Sequence, residues 1–347
     1  MMHTAPPALF VSREALTQAF EKGLRRQAAL PGIGTFILTL ANASADPLLW
    51  FPLRQQLADR FTALTEQCRQ SLRAGQPLGV PEDDLTVFLK LALLGFADLE
   101  TTQIRQEGPW EIQYNPLRAL RPARASSQKL ANALAPPFSE AGFHFNKPFL
   151  RPEILWEGEL FRHSVRLLYN KFPFVPLHGL LVPVPERGLP QEIQQEWHLF
   201  AWHVCQTLGK AIAGFTMAYN SYGAQASVNH LHFQTCVRDV PLPVESAHWQ
   251  HKGGQTAYPV PCHTFTDPLD AWFFIDHLQQ ARQPYNLIYT PGQLYCLPRQ
   301  LQGNHPQPAW SPGYAWYEMA GGMTAYNRSD FDRLRATDLH NALAQVA

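Results

Sequence analysis

The stretch Asn229-His230-Leu231-His232-Phe233-Gln234 places two imidazoles and a carboxamide at alternate positions. On a β-strand, whose side chains alternate between faces, His230, His232 and Gln234 share one face, with roughly 7 Å between successive side chains. Leu231 and Phe233 then point the other way, into a core. A neutral imidazole nitrogen is a good nucleophile near pH 7, and phosphorus is a target it can attack. Such an attack needs an acceptor for the other ring nitrogen. It also needs N–H donors for the charge that builds on the non-bridging oxygens. Gln234 can donate to a phosphoryl oxygen but supplies no acid proton. The same residues also fit a pair of core histidines, or two ligands of a metal ion completed by a third such as His178, with Gln234 a poor ligand. The spacing leaves these alternatives open.

The segment Asn220-Ser221-Tyr222-Gly223-Ala224-Gln225-Ala226-Ser227 is a small-residue loop, able to offer backbone N–H groups, Ser221 and Ser227 to an anion. The elements that must hold it are read from periodicity. Phe215 to Tyr219 and Leu231 to Val237 are expected strands, as are 110–114, 165–169 and 180–183, the last two around the turn Asn170-Lys171-Phe172-Pro173. A helix is expected from Pro190, with Ile193, Trp197, Phe200, Val204, Leu208 and Ala211 on one face. Residues 125–142 read as a loop. Strands are expected over 286–289, 293–298 and 315–318, and helices near 268–281 and 336–346. The first hundred residues read as helices: one capped by Ser12 and stopped at Pro31-Gly32, one on the Leu53 to Leu72 stripe ending near Gly75, and a buried one over 85–96. The pattern is α+β with antiparallel sheet, and no glycine-rich phosphate loop of the Rossmann or P-loop type occurs.

Lys plus Arg and Asp plus Glu are both 28, so net charge gives no bulk attraction to nucleic acid or an anionic membrane. Five cysteines, an odd number without a C-x-x-C pair, indicate neither a disulfide framework nor a cysteine zinc site. The first residues lack the basic start and apolar stretch of a signal peptide, and no apolar run is long enough to span a bilayer. The expectation is a soluble cytoplasmic protein.

The run from Tyr219 to Ala224 followed by Ser227 to Gln234 resembles the signature of the histidine-triad (HIT) superfamily. The likeness is to its H-x-H-x-Q branch, which holds GDP-L-galactose and GDP-D-glucose phosphorylases, diadenosine tetraphosphate phosphorylases and galactose-1-phosphate uridylyltransferases. Gln113-Tyr114-Asn115, Arg118, Arg121-Pro122, Phe145-Asn146-Lys147, the stretch Asn170 to Pro183 with His178, Tyr285-Asn286-Leu287 and Gly313 to Met323 are similar to family segments in the same order. The first hundred residues are not matched.

The resemblance implies two HIT-like halves fused in one chain. A catalytic half over 109–250 and a C-terminal half over 251–347 would follow an N-terminal helical region over 1–108. It implies His232 as the residue that forms a covalent nucleotidyl intermediate, His230 as its support and Gln234 as a phosphoryl ligand. His178 corresponds to the upstream family histidine. Asn220, Ser221 and Gly223 would line the α-phosphate, while Arg118, Arg121 and Lys147 are further phosphate or nucleotide candidates. The implied activity is a nucleotidyltransferase acting on a nucleoside-diphosphate sugar such as a GDP-hexose, with inorganic phosphate as second substrate and no cofactor. The zinc-binding cysteines of some uridylyltransferases are absent, so no structural zinc is expected. A dinucleoside polyphosphate phosphorylase with the same nucleophile, and a nucleotide-binding sensor without turnover, are the alternatives. Base, sugar and oligomeric state are not encoded in any motif.

Overall fold

A computed structural model describes residues 7–121, 136–311 and 313–347. The loop expected over 125–142 lies, up to residue 135, outside the described residues.

Four helices open the chain. Ser12 caps Arg13–Ala28 (α1), its hydroxyl accepting from the Ala15 N–H at 3.1 Å. Ile33–Ser44 (α2) follows and is almost wholly buried. Asp46 caps Pro47–Arg73 (α3), with Pro47 at the first helical position where its missing N–H costs nothing. Glu82–Leu94 (α4) carries Glu82, Asp83 and Asp84 in its first turn, where the helix dipole favours negative charge. The sequence reading misses α2, because a run buried on all sides has no amphipathic stripe. It also makes α4 too buried: Val87, Phe88 and Leu91 are in the core, but Leu93 is 88% exposed. The four helices share a core that extends to Leu117, Tyr169 and Phe172.

Next come Gln103–Glu107 (β1), Trp110–Tyr114 (β2) and the single turn Pro116–Ala119 (α5). Then follow Ile154–Leu160 (β3), His163–Tyr169 (β4), Gly179–Pro183 (β5), Gln195–Ala211 (α6), Phe215–Asn220 (β6) and Phe233–Val237 (β7). The C-terminal third holds His263–Phe265 (β8), Pro268–Gln280 (α7), Tyr285–Thr290 (β9), Gln293–Pro298 (β10), Trp316–Met319 (α8), Gly322–Ala325 (β11), Arg328–Arg333 (α9) and Ala336–Ala344 (α10).

Eight strands form one sheet in the order β3-β4-β5-β7-β6-β9-β10-β8, every neighbour antiparallel. The fold is therefore α+β. The expectation of two fused sheets is refined: β6 pairs with β9 over Met217↔Tyr289 to Asn220↔Asn286, which makes one continuous sheet from both parts of the chain. A second sheet, β1-β2-β11, joins β2 to β11 in parallel. One face of the large sheet packs on α6 and α7, the other on β2, α8, α10 and the 242–260 loops.

Two expected boundaries move and one expected strand is a helical turn. The helix expected at Pro190 starts at Gln195, because Leu189 to Gln191 is used as backbone partner for the motif instead. The strand expected from Leu231 starts at Phe233. The β5 ladder ends at Leu181↔Phe233, and upstream the Leu231 N–H donates to the Leu189 carbonyl at 2.8 Å. His230 and His232 thus precede the strand, and only Gln234 lies on it. The expected strand over 315–318 is the helical turn α8, whose Glu318 caps the Ala315 N–H at 3.1 Å.

Candidate active site

Strands β6 and β7 pair only as far as Ala218↔Gln234 and then diverge. The Gln191 side chain fills the gap. Its Oε1 accepts the His232 backbone N–H at 2.9 Å, and its Nε2 donates to the Asn220 carbonyl at 3.0 Å and the His232 carbonyl at 3.3 Å. One amide side chain therefore does the work of the missing ladder and holds His232 beside Asn220. A cavity of about 550 Å³ opens there. His232, Gln234, Asn220, Gln225, Ser227, Arg118, Arg121, Lys171, Glu318 and Tyr326 are among the side chains that line it.

His232 is 6% exposed. Its Nδ1–H donates to the His230 carbonyl at 2.8 Å, which leaves the lone pair on Nε2. Burial lowers its pKa to about 4, so the ring is neutral at pH 7. An oriented, neutral imidazole at the wall of a cavity is the nucleophile that phosphorus chemistry requires.

Two carboxamides are aimed by donors that leave no choice of flip. The Trp316 indole can only donate, and it reaches Gln234 Oε1 at 2.8 Å. His178 Nε2 meets the same oxygen at 2.8 Å and so carries the proton, while its Nδ1 accepts from the Phe174 N–H at 3.4 Å. At Asn220, Oδ1 accepts the Trp316 backbone N–H at 2.9 Å and the Asn286 side-chain amide at 2.7 Å. With both oxygens engaged, the NH₂ groups of Gln234 and Asn220 are the ends left to donate into the cavity, as an oxyanion would need.

Cations lie on the same wall. Arg118 donates to the Phe172 carbonyl at 2.9 Å and sits 4.4 Å over the Phe174 ring; Arg121 sits 5.1 Å over the Phe172 ring. Burial, then Arg118, lowers the Arg121 pKa to about 10, where it remains charged at pH 7. Burial raises Glu318 to about 7.

The structure brings together His232, Gln234, Asn220, Ser227, Arg118 and Arg121 of the expected residues. His230 lies behind the cavity. Its Nδ1 accepts the Phe145 N–H at 3.2 Å, its ring stacks on Phe145, and burial lowers its pKa to about 3. His178 is fully buried and acts through Gln234, its pKa also lowered to about 3 by burial. Ser221 faces away: its hydroxyl accepts the Tyr285 N–H at 2.9 Å, tying the loop to β9. Gly223, at φ +85°, permits the turn and is not on the wall. Lys147 lines a neighbouring pocket with Arg151 and Arg166, its Nζ donating to the Glu140 carbonyl at 2.7 Å. Among the described residues, no group of three or more His, Cys, Asp or Glu could hold a metal ion.

Sequence reasoning misses Gln191, Trp316 and Lys171. Gln191 falls at the start of the helix expected from Pro190, where its side chain is not read as a partner of the motif. Trp316 is taken for a strand residue. Lys171 and Trp316 stand in family-like segments, as Asn286 does, but nothing in those segments singles out their side chains.

Residues 96–236 match the family described as GDPGP1-like, N-terminal domain. The human GDP-D-glucose phosphorylase 1 (Homo sapiens) is 31% identical over 171 residues, 45% of this chain and 37% of that protein. The GDP-L-galactose phosphorylase 1 of Arabidopsis thaliana is 40% identical over 78 residues, 22% of this chain and 17% of that protein. The chain thus spans well under half the length of these curated relatives. Among solved structures, the yeast Ap4A phosphorylase Apa2 in complex with Ap4A superposes with a TM-score of 0.48 at 16% identity, over 71% of this chain and 88% of that one. Residues 96–236 thus match the GDPGP1-like N-terminal domain family, and over part of its length the chain is similar to GDP-D-glucose and GDP-L-galactose phosphorylases.

Proposed function

We propose that this chain is a nucleotidyltransferase that cleaves a GDP-hexose-like nucleoside-diphosphate sugar with inorganic phosphate. The observation that carries the reading is the His232 ring, neutral, bonded through Nδ1–H to a carbonyl and open to the cavity at Nε2. In the first step Nε2 bonds to the α-phosphorus and the bond from that phosphorus to the bridging oxygen breaks. A hexose 1-phosphate leaves and the nucleotidyl group stays on His232. In the second step an oxygen of inorganic phosphate bonds to the same phosphorus and the N–P bond breaks, giving a nucleoside diphosphate and the free histidine. Gln234 and Asn220 donate to the non-bridging oxygens, and Arg118 and Arg121 offset the phosphate charge. A phosphate leaving group needs little protonation, so a glutamine suffices where an acid would otherwise stand.

In this reading residues 109–250 are the catalytic half, 251–347 complete the fold, and 1–108 are an added helical region. His230 and His178 position the reacting groups. A cytoplasmic location is part of the same proposal. All five cysteines are free, and no helix of the described residues is long and apolar enough to cross a membrane.

The test is intact-protein and peptide mass spectrometry after incubation with GDP-glucose in the absence of phosphate. A guanylyl adduct on His232 that phosphate discharges as GDP is expected. No adduct there with GDP-hexoses or with diadenosine tetraphosphate would refute covalent transfer. An adduct only with the dinucleotide would change the donor class.

A further inference from the structure

A second pocket, of about 330 Å³, shares Phe145 with the cavity described above. The Phe145 ring meets His232 edge-on with centroids 5.0 Å apart, and the Phe145 carbonyl accepts from Arg166 Nη1 at 2.7 Å. Asn146, Lys147, Arg151 of the 3₁₀ turn Pro148–Glu153, Ile154 and Glu157 of β3, and Arg166 of β4 line the rest. Three cations thus stand against one carboxylate, Glu157, among the described residues on this wall. Arg166 is built in, its side chain 18% exposed. Its Nε pairs with Glu157, opposite it in the β3–β4 register, and Nη1 also donates to Asn146 Oδ1 at 3.0 Å. The Asn146 amide is itself fixed, because its Nδ2 donates to the Pro185 carbonyl at 2.7 Å. These bonds hold the guanidinium in place and leave Nη2 without a partner among the described residues. Lys147 spends one N–H on the Glu140 carbonyl and keeps two. Arg151, at the surface, makes no side-chain hydrogen bond or ion pair with the described residues. The carboxylates of Glu140 and Glu186, which face His144 at 3.1 Å and the Ser164 hydroxyl at 2.7 Å, are not on the wall.

We propose that this pocket is a second anion site, which takes a phosphate dianion, either inorganic phosphate or the phosphate of a small monoester. The site goes beyond the nucleotidyl-transfer reading and does not depend on it. Like charges brought together repel unless a counter-charge offsets them, and Glu157, half exposed, offsets one of the three. Guanidinium forks match the paired oxygens of a tetrahedral phosphate, and an ammonium adds a point charge with rotatable donors. The free Nη2 of Arg166, the remaining N–H groups of Lys147 and the unengaged fork of Arg151 supply such donors from three sides of chain. A volume of about 330 Å³ is more than a bare phosphate fills, so a monoester also fits. An occupant here lies one residue, Phe145, from the His232 ring. Lys147, which the resemblance assigns to the catalytic phosphates, then serves a phosphate of its own.

Calorimetric titration of inorganic phosphate and of glucose 1-phosphate into the full chain, at constant ionic strength, tests this. The wild type is compared with the double variant Lys147→Gln/Arg151→Gln and with Arg118→Gln, which changes a cation of the first cavity alone. The wild type should bind at least one of the two ligands in this pocket, and the tighter of them names the source. The double variant should weaken that binding by about tenfold or more, as loss of charge-assisted hydrogen bonds does, while Arg118→Gln retains it. Should the double variant fail to fold, the exposed Arg151→Gln alone carries the comparison, with a loss of about threefold or more. Equal affinity and stoichiometry in the wild type and the folded variant overturn the inference. So does a loss confined to Arg118→Gln, which puts all the phosphate in the first cavity, and so does a wild type that binds neither ligand. None of these results bears on whether His232 forms an adduct.

Discussion

On the β5–β7–β6 side of the large sheet the cavity meets an imidazole, His232, and two amides, Gln234 and Asn220. From the C-terminal side, β9 and α8 touch those amides from behind, through Asn286 and Trp316, and add Glu318 to the wall. The first region holds the imidazole proposed to react. The second decides which end of each carboxamide faces the cavity. A glutamine flipped end for end would offer an oxygen to an anion, so the orienting donors matter as much as the amide itself. The continuous pairing of β6 with β9 is what lets residues nearly a hundred positions apart share this task.

Removing the reacting group gives the largest effect. His232→Ala should abolish the adduct and lower turnover by ~10⁴-fold or more, because no other group can take the covalent role. Turnover within tenfold of wild type would mean the amides and cations alone carry the reaction. Next, Gln191→Leu should destabilise the fold by about 2–4 kcal/mol by leaving buried backbone groups of His232 and Asn220 unpaired. Chemical denaturation reads this directly, and an unchanged midpoint would show that the β6–β7 gap closes without the amide.

The orienting side is tested by Trp316→Phe, which keeps a ring and deletes the indole N–H. Turnover should fall by about tenfold, with the adduct still on His232. A drop as large as that of His232→Ala would erase the distinction between the two regions.

The smallest effect separates them by pH. His178, His230 and His232 have pKa values lowered by burial to about 3, 3 and 4. Between these values and about 6.5 the unfolded chain binds more protons at these sites, so their contribution to stability falls as pH drops below 6.5. Glu318, raised by burial to about 7, has the opposite sign: the folded state binds more protons between about 4.5 and 7, so its contribution falls as pH rises through that window. Glu318→Gln should therefore gain on wild type by about 2 kcal/mol more at pH 7.5 than at pH 5 in denaturant titrations. An equal difference at both pH values would show that Glu318 is ionised normally.

Much of the scaffold is legible because burial on one face leaves a period. α1, α3, α7, α10 and the strands β2, β4, β5, β6, β9 and β10 follow from such patterns. Elements without a face escape: α2, buried all round, and β11, four residues long. His230 and His232 alternate with core residues as a strand would, yet they lie outside one. The alternation survives because Leu231 and Phe233 are both fully buried, while the ladder is replaced by Leu189 and Gln191.

The sequence by itself determined which side chains can do phosphorus chemistry here, since the nature of His232, Gln234, Asn220 and the arginines is independent of their surroundings. It also determined the α+β class, through two kinds of periodicity. Tertiary structure alone decided the direction of each group: the His232 lone pair, the NH₂ ends of two amides, the removal of Ser221 and Lys147 from the wall, and the entry of Asp84 and Lys171. Hydrogen-bond orientation and cavity membership depend on partners distant in sequence, and those partners meet only once the strands have paired and the helices have packed.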